Sequence, residues 1–230
     1  MMKAVILAFS AVITVSAYIG SRSLFLRYKH PLLNPVFVST VVIITILKGV
    51  NLTFDDYQPA KEVMTFLLGP ATVALALPLY KNRKVLGSYA LPVFTGVAAG
   101  SLATIAAVLL VGRIAGLSRG ILISIAPKSV TAPIAVEISR LAGGEPSLTA
   151  AFVVATGMIG SMIGPALLSR LKIGDPVARG LALGTTSHGQ GTAIALLEGE
   201  TQGAMAGIAM AIAAVFTALI APIYFPLFLH

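Results

Sequence analysis

Long apolar runs separated by short polar loops dominate the chain. A bilayer crossing takes about 20 apolar residues, and six runs approach or exceed that length. They cover residues 4–20, 31–47, 63–80, 85–112, 148–171 and 203–229. The segment 51–61 carries Asp55, Asp56 and Pro59, and its polarity indicates a solvated loop. The pattern therefore predicts an all-α polytopic membrane protein with about six full spans.

Two further apolar stretches are interrupted. The first covers residues 119–140 and breaks at 127–133, and the second covers residues 179–200 and breaks at 185–192. Neither half of either stretch is long enough to cross a bilayer alone. The interruptions predict two broken, re-entrant helical hairpins.

The two broken stretches resemble each other when one is shifted by 60 positions. Arg119-Gly120 then falls on Arg179-Gly180, Lys128 on His188, and Ile134-Ala135 on Ile194-Ala195. The identities are few, and chance similarity between apolar sequences is the alternative. The alignment predicts a repeat whose copies cover residues 119–165 and 179–222.

The basic loops favour an inverted orientation for the repeat. If both broken stretches crossed the membrane, the loops 81–84 and 170–179 would lie on opposite faces, against the positive-inside rule. As re-entrant hairpins, the stretches leave both loops, and the one at 22–29, on the cytoplasmic face. The hairpins then enter from opposite sides, and both termini lie outside.

Composition excludes several classes of protein. The chain is 57% hydrophobic and 10% charged, with a mean hydropathy of +0.95, whereas soluble domains carry about 25% charged residues. Its net charge of +8 comes from basic loops with no interleaved aromatic stripe, so we expect no nucleic-acid partner. Cysteine is absent, and no His, Asp or Glu cluster has metal-ligand spacing. We therefore expect no metal, no cofactor and no enzymatic activity.

The breaks are the candidate functional site. Backbone that leaves a helix inside a bilayer must be buried in protein or face a cavity, and paired broken helices are typical of transporter substrate sites. The candidate substrate-binding residues are Asn34, Lys128, Ser129, Thr131, Pro133, Ser187, His188, Gly189, Gln190, Gly191 and Thr192. Most of their polar groups are donors, and half-helix N-termini favour anions. A small carboxylate with a hydroxyl or keto oxygen suits them.

Some of these candidates have specific expected roles. Thr131 or Ala132 is expected to cap the second half-helix of the first hairpin, with Pro133 in its first turn. Gly189 and Gly191 are expected to allow close backbone approach in the second hairpin. His188 is the candidate proton carrier.

Each candidate also has an ordinary structural explanation. Lys128 could extend toward the interface or pair with Glu137, and His188 could simply bond a carbonyl in a packed turn. Asn34, beside Pro35, could only start a helix. Gln190 and the hydroxyl residues could hold helices together.

Four blocks of sequence resemble the LrgB/CidB family of bacterial membrane proteins, especially its YohK-type members. The blocks are residues 28–35 (YKHPLLNP), 69–80 (GPATVALALPLY), 127–135 (PKSVTAPIA) and 178–193 (ARGLALGTTSHGQGTA). They occur in family order and span nearly the whole chain. Gly189-Gln190 departs from the Ala-Leu that usually stands in the family between the histidine and Gly-Thr.

The resemblance implies two functions of different classes. One is transport, because the membrane domain of the plastid glycolate/glycerate translocator is similar to this family and bacterial relatives are linked to pyruvate uptake. The other is an antiholin-like role, in which the protein modulates murein hydrolase export and autolysis with a small LrgA/CidA-type partner. Paired helix breaks that bury Lys128 and His188 favour transport.

The sequence thus predicts a multi-pass protein of the bacterial inner (plasma) membrane that carries small 2-hydroxy or 2-oxo monocarboxylates. We expect residues 1–113 to form a scaffold and residues 114–230 a transport region, moving in an elevator-like manner by fold analogy. A homodimer formed through the first half is expected as well.

Overall fold

The computed structural model describes residues 2–28, 30–74, 80–81 and 83–228, and this part of the chain is helical without strands. The helices are α1 (Met2–Tyr28), α2 (Pro35–Gly49), α3 (Phe54–Ala74), α4 (Arg83–Ser88), α5 (Ala90–Ile114), α6 (Arg119–Ile125), α7 (Ala132–Ala142), α8 (Pro146–Arg170), α9 (Pro176–Glu198) and α10 (Glu200–Phe228), with a 3-10 turn at Pro31–Leu33. The all-α prediction is confirmed.

Four of the described helices are long and apolar enough to cross a membrane. These stretches are Val5–Tyr28, Ala90–Ile114, Pro146–Arg170 and Glu200–Pro226, and Pro35–Gly49 is a shorter apolar helix. The protein is therefore a membrane protein by length and composition of its helices. The total number of full spans, the re-entrant placement and the inverted repeat stay predictions. The third predicted span, 63–80, includes residues 75–79, which lie outside the described residues.

The chain forms two compact units, Met1–Ala76 and Leu77–His230. The functional division at residue 113, into scaffold and transport regions, stays a prediction. In the first unit, α1 packs against α2 and α3, and the Thr14 and Tyr57 hydroxyls form a 2.9 Å hydrogen bond between α1 and α3.

The expected loop at 51–61 is largely wrong, because α3 begins at Phe54. Thr53 donates from its backbone N–H and its hydroxyl to the Asp56 carboxylate, and the Asp56 N–H donates back to the Thr53 hydroxyl. This reciprocal cap satisfies N–H groups at the start of the helix. The two bonds that Thr53 donates to the carboxylate hold the pKa of the Asp56 carboxyl below its ordinary value. The acidic residues thus start a helix.

In the second unit, α9 folds back on itself. Arg179 and Glu198 lie 19 residues apart, which in a straight helix is about 28 Å. Their side chains instead form an ion pair of 2.6 Å between Nη2 and Oε1. The chain reverses at His188, where the backbone has φ 42° and ψ −131°. We call residues 176–198 hairpin B.

The predicted break at 185–192 is too wide, since His188 alone departs from helical geometry in α9. Thr186 donates to the Ala182 carbonyl and Thr192 to the His188 carbonyl, both four residues back. Hydroxyls that bond back along the chain are compatible with a helix. Polar composition therefore predicted a longer stretch of non-helical backbone than the structure shows.

Residues 119–142 also double back, and we call them hairpin A. The segment 126–131 separates α6 from α7. The Glu145 N–H, three residues beyond the end of α7, donates to the Ser124 hydroxyl near the end of α6 over 2.8 Å, although a straight helix would place these residues about 31 Å apart. Leu122 and Ile138 belong to one apolar cluster. The two arms of hairpin A therefore pack against each other.

Helix α8 carries one hairpin at each of its ends. At its start, the Thr149 hydroxyl donates to the Ser139 hydroxyl of hairpin A over 2.7 Å. Near its end, Arg179 of hairpin B donates to the Pro165 carbonyl over 3.2 Å and to the Ser169 hydroxyl over 3.3 Å. The two hairpins thus reach toward the middle of α8 from opposite directions.

The ion pair at the base of hairpin B generates a stability prediction. Arg179 and Glu198 are 11% and 20% exposed, and Arg179 also donates to three groups outside hairpin B. Removing one partner of a shielded pair leaves the other uncompensated. We expect Arg179→Ala to lower the unfolding free energy by about 2 kcal/mol or more, measured as a lower Tm in detergent.

The pair Glu137–Arg140 is the matched control. Its ion pair has the same 2.6 Å distance, but its side chains are 54% and 58% exposed. Exposed pairs contribute about 0–1 kcal/mol, so Arg140→Ala should change the Tm much less. Equal Tm losses in the two variants would contradict a special role for the Arg179 pair.

Candidate functional site

The tips of hairpins A and B meet at Val153 of α8. The Val153 side chain belongs to an apolar cluster with Val130 of the first tip and Ala214 of α10. Its carbonyl accepts a 3.0 Å hydrogen bond from the His188 Nε2–H of the second tip. One turn of α8 therefore contacts both breaks that the sequence predicts to form a common site.

A cleft beside the meeting point lies near the middle of α5. Ser101 of α5 and Thr217 of α10 line a cleft together with Ser129 of the first tip and Thr185 of hairpin B. At 1.5 Å per residue, Ser101 is about 16 Å from the start of α5 and about 20 Å from its end. Since α5 is long enough to cross a hydrocarbon core of about 30 Å, the cleft lies well away from both ends of that helix.

Lys128 is half-buried at the tip of hairpin A. Its Nζ lies 3.3 Å from the hydroxyl of Ser129, which is buried. The alternative pairing with Glu137 is wrong, because Glu137 bonds Arg140 through both carboxylate oxygens. Among the described residues, no carboxylate lies within 4 Å of the Lys128 ammonium. The cation is thus left available for an anionic ligand.

Helix α7 begins beside this lysine. Thr131 occupies the N-cap position, as predicted, but its side chain makes no capping bond within the described part of the chain. Pro133 stands in the first turn and is exposed. The N-terminal end of a helix dipole favours negative charge. The start of α7 and the Lys128 ammonium therefore both favour an anion at this position.

The tip of hairpin B is built on His188 rather than on its glycines. A φ of 42° with ψ −131° is a conformation that glycine tolerates and other residues rarely adopt. Gly189, expected to allow close backbone approach, is not needed for it, because a Cβ there would only touch the Met210 Sδ at 4.0 Å. Gly191 does serve close approach, because a Cβ there would collide with the Leu183 carbonyl oxygen.

Three glycines of α8 form the surface on which this tip lies. A Cβ on Gly157 would lie 2.6 Å from the His188 imidazole, and one on Gly160 would collide with the Ser187 hydroxyl. One on Gly164 would lie 2.7 Å from Leu183. Small residues let helices approach closely in membranes, so this face of α8 fixes where the imidazole sits.

The polar groups of the second tip are unequally satisfied. The His188 Nε2 must donate to Val153, because a carbonyl only accepts; in the neutral ring Nδ1 is then the acceptor. Ser187 bonds Thr186 over 3.2 Å. The Gln190 Oε1 is buried with no partner in the described part of the chain. The bond to the Val153 carbonyl accounts for the position of the His188 ring. The role of His188 as a proton carrier stays a prediction.

Asn34 belongs to the first compact unit. Its side-chain oxygen accepts from the Val36 and Phe37 N–H groups and caps α2, with Pro35 in the first turn. Asn34 is fully buried. Starting a helix is therefore its observed role, and substrate contact stays a prediction.

Sequence reasoning missed the hydroxyl residues on the helices that surround the tips. Ser101, Thr104, Thr185 and Thr217 line the cleft with Ser129. The empty space is about 190 Å³ but is divided into gaps too narrow for a water molecule. Ser101 and Thr217 lie inside continuous apolar runs. Their position at mid-span was the available signal, because buried hydroxyls there need partners.

Gly157 provides a test of how the imidazole is held. We expect Gly157→Ala to displace the His188 ring and to lower the unfolding free energy by about 1–3 kcal/mol, as overpacking does. Thermal unfolding in detergent measures this. Gly207→Ala on α10 is the control, since a Cβ there meets nothing within 4 Å. Rescue of Gly157→Ala by His188→Gly would show that the ring is the obstacle, whereas independent effects would contradict it.

Comparison with known proteins places the chain in a family. It matches the LrgB-like family over residues 14–227. The uncharacterized protein YwbG of Bacillus subtilis is 36% identical over 213 residues, 93% of this chain and 95% of the relative. The uncharacterized protein YxaC of the same organism is 35% identical over 228 residues, 99% of each chain.

A third relative carries a functional name. The antiholin-like protein LrgB of Bacillus mycoides is 34% identical over 223 residues, 95% of each chain. No solved structure matches this chain. The family match and the near full-length coverage of these relatives agree with the resemblance of the sequence blocks. The chain therefore belongs to the LrgB-like family.

Proposed function

We propose that this protein is a secondary transporter of small monocarboxylates with an oxygen on C2, such as glycolate, glycerate, lactate or pyruvate. The supporting observation is that both hairpin tips contact Val153 of α8, beside a cleft that Ser101 lines near the middle of α5. Paired broken helices of this kind are typical of transporter substrate sites. We place the protein in the bacterial cell membrane.

The charges at the tips suit an anion. Lys128 has no nearby carboxylate among the described residues, and its contact is the Ser129 hydroxyl. A half-buried cation without a counter-ion is costly inside a membrane protein and is usually functional. A carboxylate bound to Lys128 and to the N-terminal end of α7 removes this cost.

Transport also requires a change of conformation. The cleft beside the tips admits no water molecule in the present arrangement, so a substrate enters it only when its walls separate. Hairpins A and B with α8 and α10 are the proposed moving part, and the helices before residue 113 are the proposed scaffold. An inverted repeat of residues 119–165 and 179–222 accounts for the opposite directions of the two hairpins.

An antiholin-like function is the second candidate, and the name of the Bacillus mycoides relative favours it more directly than transport. In that role the protein acts with a small LrgA/CidA-type membrane partner on murein hydrolase export. Such a role gives no reason for Lys128 to stand without a carboxylate at a helix break. The two candidates therefore differ in what they require of Lys128.

Uptake by the purified protein in liposomes tests the proposal. We expect saturable uptake of labelled glycolate, lactate or pyruvate, and a fall in kcat/KM of about 100-fold in Lys128→Ala, because losing one partner of a desolvated charge pair costs about 2–5 kcal/mol. The control is Lys48→Ala, an exposed lysine at the end of α2, which should transport like the parent protein.

Absence of saturable uptake of all these substrates would reject transport of this class. Autolysis of cells that lack the native gene tests the second candidate. If Lys128→Ala restored normal autolysis as well as the parent protein does, while the purified parent protein transported nothing, the antiholin-like function would be favoured.

The proposed proton coupling through His188 has its own test. His188→Gly removes the imidazole but keeps a residue that adopts φ 42° without strain. We expect this variant to exchange substrate across equal concentrations but to lose accumulation driven by a pH gradient. His188→Ala combines loss of the ring with a strained backbone. Accumulation that persists in His188→Gly would show that another group carries the proton.

A further inference from the structure

Five hydroxyl side chains from four segments line one cleft beside the hairpin tips. Ser101 and Thr104 come from α5, Ser129 from hairpin A, Thr185 from hairpin B and Thr217 from α10. We call this group the hydroxyl cleft. Its remaining walls include Ile105, Val130 and Ala213. Hydroxyl groups buried among apolar side chains need hydrogen-bond partners.

The hydroxyls of the cleft are not equally engaged. Thr104 donates to the Ser101 carbonyl within its own helix over 2.9 Å. Ser129 accepts from Lys128. The Ser101 hydroxyl is buried and has no partner in the part of the chain that the structure describes. Ser101 as a whole is 3% exposed, and the gaps around it are too narrow for water.

Ser129 connects this cleft with the proposed carboxylate site. Its hydroxyl lies 3.3 Å from the Lys128 Nζ, and the same residue lines the cleft. A carboxylate that bridges Lys128 and Ser129 places its second carbon next to the hydroxyl cleft. The substituent on that carbon is what distinguishes lactate or pyruvate from propionate.

We propose that Ser101 is a specificity-determining residue whose hydroxyl bonds the oxygen on C2 of the transported carboxylate. This assignment rests on the proposed transport function. A serine hydroxyl both donates and accepts, so it accepts from a 2-hydroxyl and donates to a 2-keto oxygen. A carboxylate without that oxygen leaves Ser101 unpaired in a dry cleft, and sites built in this way reject such analogues.

Thr104 is the less suitable residue for this contact. Its hydroxyl already donates along α5, whereas the Ser101 hydroxyl keeps its proton free for the ligand. Thr185 and Thr217 are 4% and 3% exposed and line the same cleft.

The experiment measures selectivity in proteoliposomes. Initial uptake rates of labelled lactate, pyruvate and propionate are compared in the parent protein, in Ser101→Ala and in Thr95→Val. Thr95 lies on the same helix, is exposed, and bonds carbonyls of its own helix. In Ser101→Ala we expect the kcat/KM ratio of lactate to propionate, and of pyruvate to propionate, to fall about tenfold, or about 1.4 kcal/mol. Thr95→Val should keep the parent ratio.

The possible outcomes separate this assignment from the proposed function. An unchanged ratio in Ser101→Ala, with transport by the parent protein intact, overturns the role of Ser101 alone. An equal loss of all three substrates in Ser101→Ala also overturns it, because that result indicates a structural role. Absence of transport in the parent protein overturns both proposals. A selective loss of lactate and pyruvate uptake supports both.

Discussion

Backbone groups that leave a helix inside a bilayer have no water to bond, and this constraint governs the second compact unit. Hairpins A and B both interrupt their helices beside the cleft that Ser101 lines near the middle of α5, and their tips are enclosed by protein. Helices α5, α8 and α10 provide that enclosure, through the hydroxyl cleft on one side and Val153 on the other. The anion site that we propose lies within the same enclosure.

The glycines of α8 determine how tightly hairpin B can be enclosed. Gly157, Gly160 and Gly164 recur at helical spacing, and each lies against a different residue of hairpin B. Their missing side chains allow the histidine ring to reach the Val153 carbonyl. At the opposite end of the hairpin, the Arg179–Glu198 pair holds the two halves together. Hairpin B is thus fixed at its base by charge and at its tip by close packing.

Much of the fold was predictable from sequence because membrane helices are recognised by their length and apolar composition. The two breaks also stood out, since Pro127 and Pro133, and the polar residues around His188, interrupt apolar runs. The width of the second break was wrong, because hydroxyls such as Thr186 bond back into a helix as readily as they end one. The expected loop at Asp55 and Asp56 failed for a related reason: acidic residues after Thr53 cap a helix.

The candidate site was only partly predictable. Lys128 and His188 are conspicuous as charged or ionisable residues in apolar sequence, and the structure brings their hairpin tips to the same turn of α8. Ser101 and Thr217 were missed because a single hydroxyl inside a long apolar helix looks the same whether it faces lipid, a neighbour or a ligand. Their importance depends on tertiary contacts that one sequence does not contain.

The positive φ of His188 also affects the balance between conformations of hairpin B. A conformation in which this φ is negative is relieved of about 1–3 kcal/mol of backbone strain. That difference corresponds to a factor of about 5–150 in relative population.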